Sequence, residues 1–437
     1  MPNPTSSWLA TDHYQLTMAN GYFASGMHET PAIFEMFFRR NPFGGHFTVA
    51  AGLDTLIEHL SDLRFGDEEL RYLSESGMFS SGFLDYLAGL RLTCNIEAVP
   101  EGTVVQPMAP LVKVGGPLLQ CQLLETVILT TINFQTLIAT KAARCVLAAE
   151  GKPVYDFGMR RAHGVEASVL AARAAYLAGC AGTSNELAGL RWGIPTAGTM
   201  AHSWVMSHAS EQGAFDNYAF IYPQRCILLV DTYDARRGIE RAVATKIKYG
   251  LVGGGIRLDA ERSQLPELAC FARTAMNDAG WTDGVILASS DLDETSIAAM
   301  RDLPIDGWGV GTRLVTGAPD AALGGVYKLV EIDGHPRCKT HASAPGKGTL
   351  PGAHRLTRHV GTIIYDTIRM ASETPLNSEH DLLVPVFSRG ELCCSRPTLS
   401  GIREYTALQL SLEQSATAHY CTASPQVEEM KRSMPHA

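Results

Sequence analysis

The stretch Cys226-Ile227-Leu228-Leu229-Val230-Asp231-Thr232-Tyr233-Asp234 sets the grammar of the chain: an unbroken apolar run that stops at polar residues. A short apolar run bounded in this way reads as a strand covered on both faces, as strands of a parallel sheet are. The pattern recurs. Residues 254–258 end in Asp259, residues 284–288 end in Ser289-Ser290-Asp291, and residues 307–310 end in Gly311-Thr312. Upstream, residues 154–157 and 194–197 are further strand candidates, and residues 165–177 have the pattern of a helix. Strand, polar strand end and helix in repetition predict a parallel sheet or an α/β barrel. In barrels the chemistry gathers at the C-terminal strand ends, here the places of Arg160, Thr199, Asp231, Asp259, Ser290 and Thr312.

Outside this repeat the rhythm changes. Residues 11–23 read as a helix with Thr11 or Asp12 as its cap and Gly21 near its end. Residues 32–39 form a β-branched and aromatic strand candidate, residues 53–90 have a helical pattern, and residues 94–116 break into short strands at Gly/Pro turns. The expected organisation is an α/β protein of three parts. Residues 1–117 make a sheet-based α+β domain, residues 118–340 an irregular α/β barrel, and residues 341–437 a small C-terminal extension. The polar tail of that extension, from about residue 411, is expected to be helical and then disordered.

Of the 437 residues, 46% are hydrophobic and 19% are charged, an ordinary globular balance. A net charge of −9 argues against a general nucleic-acid binder. The ten cysteines form no CxxC pair, so zinc knuckles and a disulfide framework lack support. The run Met1-Pro2-Asn3-Pro4 does not resemble a signal peptide, and the apolar run 118–132 is broken by Gln120, Gln122 and Glu125, as suits a buried helix rather than a membrane span. A cytoplasmic enzyme without membrane attachment is the expectation.

Individual residues leave alternatives open. His202, in Ala197-Gly198-Thr199-Met200-Ala201-His202-Ser203-Trp204, lies between a strand-like run and a helix beginning near Val205. An imidazole there is either a structural group bonded to a carbonyl or a nucleophile, proton carrier or ligand. Gly307-Trp308-Gly309-Val310-Gly311-Thr312 is either a tight turn or a backbone cradle for a phosphate. Arg160-Arg161 is a salt-bridged pair or a fork for phosphate or carboxylate. Arg257 and Asp259 are a strand-end ion pair or holders of an anion and a ribose hydroxyl. Asp231 and Asp234 are metal ligands or a strand-end turn and a helix cap.

Taken together the motifs are more specific. TDHYQLTMANGYF (11–23), FEMFFRRNPFGG (34–45), EGTVVQPMAPLVKVGGPLLQCQLLET (101–126), DFGMRRAHG (156–164), GTSNELAG (182–189), AGTMAHSW (197–204), LVDTYD (229–234), GVGT (309–312), LGGVYKLVE (323–331) and KGTLPG (347–352) resemble the nicotinate phosphoribosyltransferases of the type II class across most of the chain. The resemblance implies that nicotinate and phosphoribosyl pyrophosphate are joined to give nicotinate mononucleotide and pyrophosphate. It further implies Mg²⁺, and ATP hydrolysis coupled through a transient phosphohistidine at His202. Phe157, with Tyr14 of the partner subunit in a homodimer, would sandwich the pyridine ring. Arg160, Thr199 and Arg257 would hold the carboxylate and neighbouring phosphates, and Asp259 would meet the ribose hydroxyls. Gly309, Gly311 and Thr312 would cradle the 5′-phosphate, with Thr349 adding a donor. Ser184 stands where nicotinamide-using relatives carry an Asp, which favours an acid as substrate.

Two departures qualify the match. Arg257-Leu258-Asp259 is followed by Ala260-Glu261-Arg262, where the family usually has Ser-Gly-Asp, and His354 stands where a basic residue is usual after KGTLPG. They leave open an enzyme redirected to another aromatic carboxylate, and a non-catalytic relative. The joint presence of His202, Phe157, Arg160 and the GVGT loop speaks against the latter.

Overall fold

The computed structural model describes residues 6–339 and 348–434. The run Met1-Pro2-Asn3-Pro4 and Lys347 of the KGTLPG motif lie outside the described residues. The chain divides into two compact units, Met1–Leu137 with Ala322–Ala437, and Ile138–Ala321.

The second unit is built on six strands, paired in parallel in the order Gly182–Thr183, Val154–Asp156, Gly307–Val310, Val285–Ala288, Gly255–Leu258 and Ile227–Leu229. The first strand in sequence pairs with the last, which is how a β/α barrel closes on itself. Among the described residues one seam has no ladder, between Gly182–Thr183 and Ile227–Leu229, and there Thr196 makes a single parallel bridge to Thr183. The expected strand at 194–197 is reduced to that bridge. Close approach explains why residue 182 is a glycine: a Cβ there would lie 2.4 Å from the Pro195 carbonyl oxygen. The sheet is therefore an irregular α/β barrel with an open seam, and the segment bearing His202 is the connection across it.

The strands are buried as the apolar runs predict. Leu228, Leu229, Ile256, Leu258, Ile286, Ala288, Trp308 and Val310 have no measurable exposure, and each large side chain contributes about 1.5–3 kcal/mol by leaving water. Helix Ala235–Tyr249 returns the chain after Ile227–Leu229. Asp234 caps it by accepting from the Arg237 N–H at 2.9 Å, and Gly250 ends it in the left-handed conformation at φ 61°. Asp234 is thus a helix cap. Helix Val165–Leu177 matches its expected bounds.

The first unit holds a seven-stranded antiparallel sheet, in the order His335–Pro336, Val326–Ile332, Pro31–Phe37, Val112–Pro117, Asn95–Ala98, Val384–Ser388 and Glu391–Leu392. The expected three-part division does not describe this arrangement. Val326–Ile332, read as barrel, pairs with Pro31–Phe37, and Val384–Ser388, read as extension, pairs with Asn95–Ala98. The physical reason is that strands Pro31–Phe37, Val112–Pro117 and Asn95–Ala98 alone leave both edges of their sheet unpaired, and the returning chain supplies the missing neighbours. The helical pattern at 53–90 resolves into Leu53–Leu60, Asp67–Glu75 and Ser81–Gly89. The first helix runs His13–Ala24, with Asp12 and Gln15 forming a capping box, so it continues through Gly21.

The tail differs from its expected disorder. After helix Leu399–Ser415, strand Ala418–Ala423 joins Ile363–Met370 in parallel, and helix Pro425–Ser433 seats Val427 at 0% exposure. Helices Leu118–Leu123 and Glu125–Ala148 include the one stretch among the described residues that is long and apolar enough to cross a membrane, and 67% of it is buried inside the protein. This is a core helix, as expected.

Candidate active site

The C-terminal strand ends of the second unit meet around two adjoining cavities. The larger, about 650 Å³, is lined by Phe157, Arg160, Ser184, Thr199, His202, Arg257 and Asp259 among others. The smaller, about 410 Å³, is lined by Ser289, Ser290, Asp291, Gly309, Gly311 and Thr312, together with Arg161. Phe157, Arg160, Arg257 and Asp259 line both. The structure thus gathers Phe157, Arg160, Ser184, Thr199, His202, Arg257 and Asp259 on one side, and Arg161, Ser290, Gly309, Gly311 and Thr312 on the other. Tyr14 and Thr349 belong to the first unit.

Asp156 anchors the mouth. It is 2% exposed and closes its strand, and its carboxylate accepts from the Gly158 N–H at 2.8 Å and the Thr183 hydroxyl at 2.8 Å. Burial raises its pKa, and those two hydrogen bonds work against the rise. The result pins the turn that presents Phe157 and Arg160. Its backbone carbonyl also accepts from the Ser184 N–H at 2.8 Å, which seats Ser184 beside that turn.

Phe157 lies over the Gly307–Val310 strand end. A Cβ on Gly309 would stand 2.5 Å from the Phe157 ring, so the glycine is required by the ring's approach. The loop expected to be a tight turn or a phosphate cradle is the backstop of an aromatic wall. Tyr155 stacks near the same ring, with centroids 6.2 Å apart and planes at 18°.

Arg257 is held from three sides. Its Nε donates to Ser289 Oγ at 3.0 Å, Nη1 to Thr199 Oγ1 at 2.8 Å, and Nη2 to Asp259 Oδ2 at 2.8 Å. Each terminal nitrogen keeps a second hydrogen for a ligand. Asp259 also accepts from Ser289 Oγ at 2.7 Å, and its N–H donates to Asp231 Oδ2 at 2.6 Å. Arg257 and Asp259 are thus the strand-end ion pair and, at once, part of the cavity wall. Arg160 and Arg161 are exposed and, among the described residues, neither has an ion-pair partner; Arg160 lines both cavities and Arg161 the smaller.

His202 is the first residue of helix His202–Met206, so the helix starts at the histidine rather than near Val205. Its Nδ1 lies 3.2 Å from Thr232 Oγ1 and its Nε2 lies 3.8 Å from Asp259 Oδ2. The side chain is 43% exposed, open for chemistry rather than bonded to a carbonyl. His208 is turned away, with Nδ1 on the Trp204 carbonyl at 2.7 Å.

Ser289 and Thr232 were not singled out by sequence reasoning, although each bonds a residue that was. Ser289 had a usable signal: Ala288 pairs with Leu258 in register, so the next residue on each strand, Ser289 and Asp259, must be neighbours. Among the described residues, Asp231 keeps one buried carboxylate oxygen, Oδ1, without a hydrogen-bond partner. Burial raises its pKa, the Asp259 N–H lowers it, the charge of Asp259 adds to the rise and His202 opposes it.

In the first unit, Tyr14 is 49% exposed on its helix, and its hydroxyl is pushed up to about 12 by burial and by Glu125. Thr349 is 2% exposed and its hydroxyl accepts from the Lys339 N–H at 2.8 Å. His354 is 1% exposed on its side chain, with Nδ1 2.8 Å from Glu35 Oε2, so the departure after KGTLPG is a core residue of this unit.

An aromatic wall, clustered guanidinium groups and a glycine-lined cavity thus meet at the parallel strand ends. Residues 9–133 match the nicotinate phosphoribosyltransferase N-terminal domain and residues 153–244 the nicotinate phosphoribosyltransferase family. A nicotinate phosphoribosyltransferase of Mycobacterium tuberculosis is 44% identical over 410 residues, covering 92% of this chain and 86% of its own. That of Bacillus subtilis is 38% identical, with 92% and 89% covered. The crystal structure of human nicotinic acid phosphoribosyltransferase superposes with a TM-score of 0.83 at 28% identity, covering 97% of this chain and 100% of the other. The chain belongs to the nicotinate phosphoribosyltransferase family.

Proposed function

We propose that this chain joins nicotinate to phosphoribosyl pyrophosphate, releasing pyrophosphate and nicotinate mononucleotide, and couples the step to ATP hydrolysis through phosphate carried on His202. The observation that carries the reading is the pair of adjoining cavities that share Phe157, Arg160, Arg257 and Asp259. A flat ring with an anionic substituent fits the larger, and a phosphate monoester fits the smaller.

The pyridine nitrogen attacks the anomeric carbon of the ribose as the bond to pyrophosphate breaks. Little proton movement is needed, so alignment and charge stabilisation supply the rate. Phe157 provides one face of the slot, and Tyr14 of the partner subunit is proposed for the other, in a homodimer with composite sites. The free hydrogens of Arg257 and the uncommitted Arg160 meet the carboxylate, with Ser184 and Thr199 as neutral partners. Because Asp259 already neutralises much of Arg257, Arg160 is needed to make the slot cationic. Asp259 takes the ribose hydroxyls, and Gly309, Gly311 and Thr312 surround the 5′-phosphate.

Among the described residues no group of three or more His, Cys, Asp or Glu side chains is placed to hold a metal ion. Mg²⁺ is therefore proposed to arrive on the pyrophosphate, as is usual for this ion. It would offset charge on the leaving group. His202, 43% exposed and steadied by Thr232, is open to take phosphate from ATP. The compartment proposed is the cytoplasm.

The test is pyrophosphate release from phosphoribosyl pyrophosphate with nicotinate, nicotinamide and other aromatic acids offered in turn. Turnover with nicotinate supports the reading, and turnover only with another acid redirects it. Acid-labile label from γ-labelled ATP should appear on the wild type and be absent from His202→Ala; equal labelling removes His202 from that role. Mixed Tyr14→Ala and His202→Ala chains should regain activity if sites are shared between subunits.

A further inference from the structure

We propose that Arg262, in the altered loop after Asp259, is a positioning residue for the phosphoribosyl donor: it ties that loop to the Ser290-Asp291 turn and so shapes the smaller cavity. The inference rests on the reading that this cavity takes the donor's phosphate.

The turn after strand Val285–Ala288 is an unusual one. Ser290 and Asp291 both have positive φ, 115° and 48°, and neither is a glycine. Asp tolerates the left-handed region, but a serine at φ 115° holds its conformation only when its surroundings impose it. Both residues line the smaller cavity. The imposing contacts come from two other strand ends. Arg262 Nη2 donates to the Asp291 carbonyl oxygen at 2.7 Å, from beyond strand Gly255–Leu258. Arg313 Nε donates to Asp291 Oδ2 at 3.2 Å, from just beyond Gly311-Thr312, and Arg313 Nη1 lies 3.5 Å from Asp293 Oδ2. Asp293 in turn caps helix Glu294–Met300.

Asp291 is therefore the node between three consecutive strand ends. Arg313 holds its carboxylate, and Arg262 holds its carbonyl. Arg262 itself does not line either cavity, so its effect passes through the turn. Loss of Arg262 leaves the Asp291 carbonyl to water and lets the two left-handed residues relax. The wall of the smaller cavity would shift, whereas the Phe157 slot and the Arg257–Asp259 pair keep their own bonds. The effect should fall on the donor and spare the acceptor.

The experiment uses the full chain with Arg262→Gln, Arg262→Lys and, as a control in the same loop, Glu261→Gln. Binding of phosphoribosyl pyrophosphate is measured by titration calorimetry, and KM values for donor and acceptor by turnover. Arg262→Gln should weaken donor binding and raise donor KM by roughly five- to tenfold. The nicotinate KM should move by less than about twofold. Arg262→Lys, which keeps a donor and a charge, should fall between the two, and Glu261→Gln should match the wild type. Donor binding by Arg262→Gln equal to wild type, or donor and acceptor KM rising in step, overturns the proposal. A wild type that binds no phosphoribosyl pyrophosphate overturns it together with the functional reading, and so separates the two failures.

Discussion

Two arginine–aspartate pairs, one in each unit, show how the same chemistry serves opposite ends. In the first unit Arg358 grips Asp366 with both arms, Nε to Oδ1 and Nη2 to Oδ2 at 2.6 Å each, at 3% and 0% side-chain exposure. The two residues face each other on paired strands, and His419 sits between Asp366 at 3.0 Å and Glu413 at 2.8 Å. In the second unit Arg257 reaches Asp259 with one arm at 2.8 Å, at 14% and 21% exposure, beside an open cavity. The first pair is saturated by its own neighbours and buried. The second leaves hydrogens on both terminal nitrogens and a histidine within 3.8 Å. Bidentate burial makes a lock, and a single-armed, half-open pair makes a site.

The largest expected effect breaks the lock. Asp366→Asn leaves Arg358 buried without its charge partner, a loss of about 3–5 kcal/mol. It should show as a lower denaturation midpoint for the first unit, read by urea unfolding. A midpoint equal to wild type would make the two pairs alike after all.

Next is the site. Arg257→Ala should lower kcat/KM for nicotinate by about 2–4 kcal/mol, roughly 30- to 1000-fold. The nicotinamide value should change far less, so the discrimination narrows. Parallel losses on both acceptors would show that Arg257 supports the fold of the cavity rather than reading the carboxylate.

A smaller effect follows pH. Burial alone would lower the pKa of His419, but its hydrogen bonds to Asp366 and Glu413 outweigh burial and raise it above 6.5. Burial alone would raise that of Asp366, and the bonds from Arg358 and His419 outweigh it and hold it below 3.8. A raised histidine stabilises fully below its ordinary value and loses that contribution as pH climbs through the folded one. A depressed aspartate stabilises above its ordinary value and loses that contribution as pH falls through the folded one. The lock should therefore be firmest between about pH 3.8 and 6.5. His419→Gln should flatten the alkaline limb of a stability–pH profile; an unchanged limb would assign it to other groups.

The smallest is Asp234→Ala. Removing the cap of helix Ala235–Tyr249 should cost about 1 kcal/mol in the second unit, seen in its thermal midpoint. A larger loss, or a loss of activity with no change in stability, would give Asp234 a place in the site.

How much was legible varied with the range of the interactions involved. Asp12 capping the first helix, Asp234 capping helix Ala235–Tyr249 and Gly250 ending it are local matters, readable within a few residues. So were the bounds of Val165–Leu177 and Gly307–Val310, because apolar periodicity is a local signal. The seam at Thr196 was not readable, since a four-residue strand-like run does not say whether a neighbour is present to pair with it. The tail was misread for the same reason: Ala418–Ala423 has polar residues and becomes a strand because Ile363–Met370 offers an edge. Ser289 and Thr232 were read only as polar strand ends because their importance lies in partners 30 residues away.

The amino-acid sequence by itself determined the parallel strands, the polar residues placed at their ends and the family to which the chain belongs. Apolar runs, caps and motifs act over short spans, and their order is written along the chain. Only the tertiary structure decided that strands Val326–Ile332 and Val384–Ser388 complete the N-terminal sheet, and that His354 is a core partner of Glu35. It alone showed that Arg257 arrives at the cavity already shared among Ser289, Thr199 and Asp259. Strand partners and hydrogen-bond competition depend on which residues meet in space, and that is set by the whole chain's packing rather than by any stretch of it.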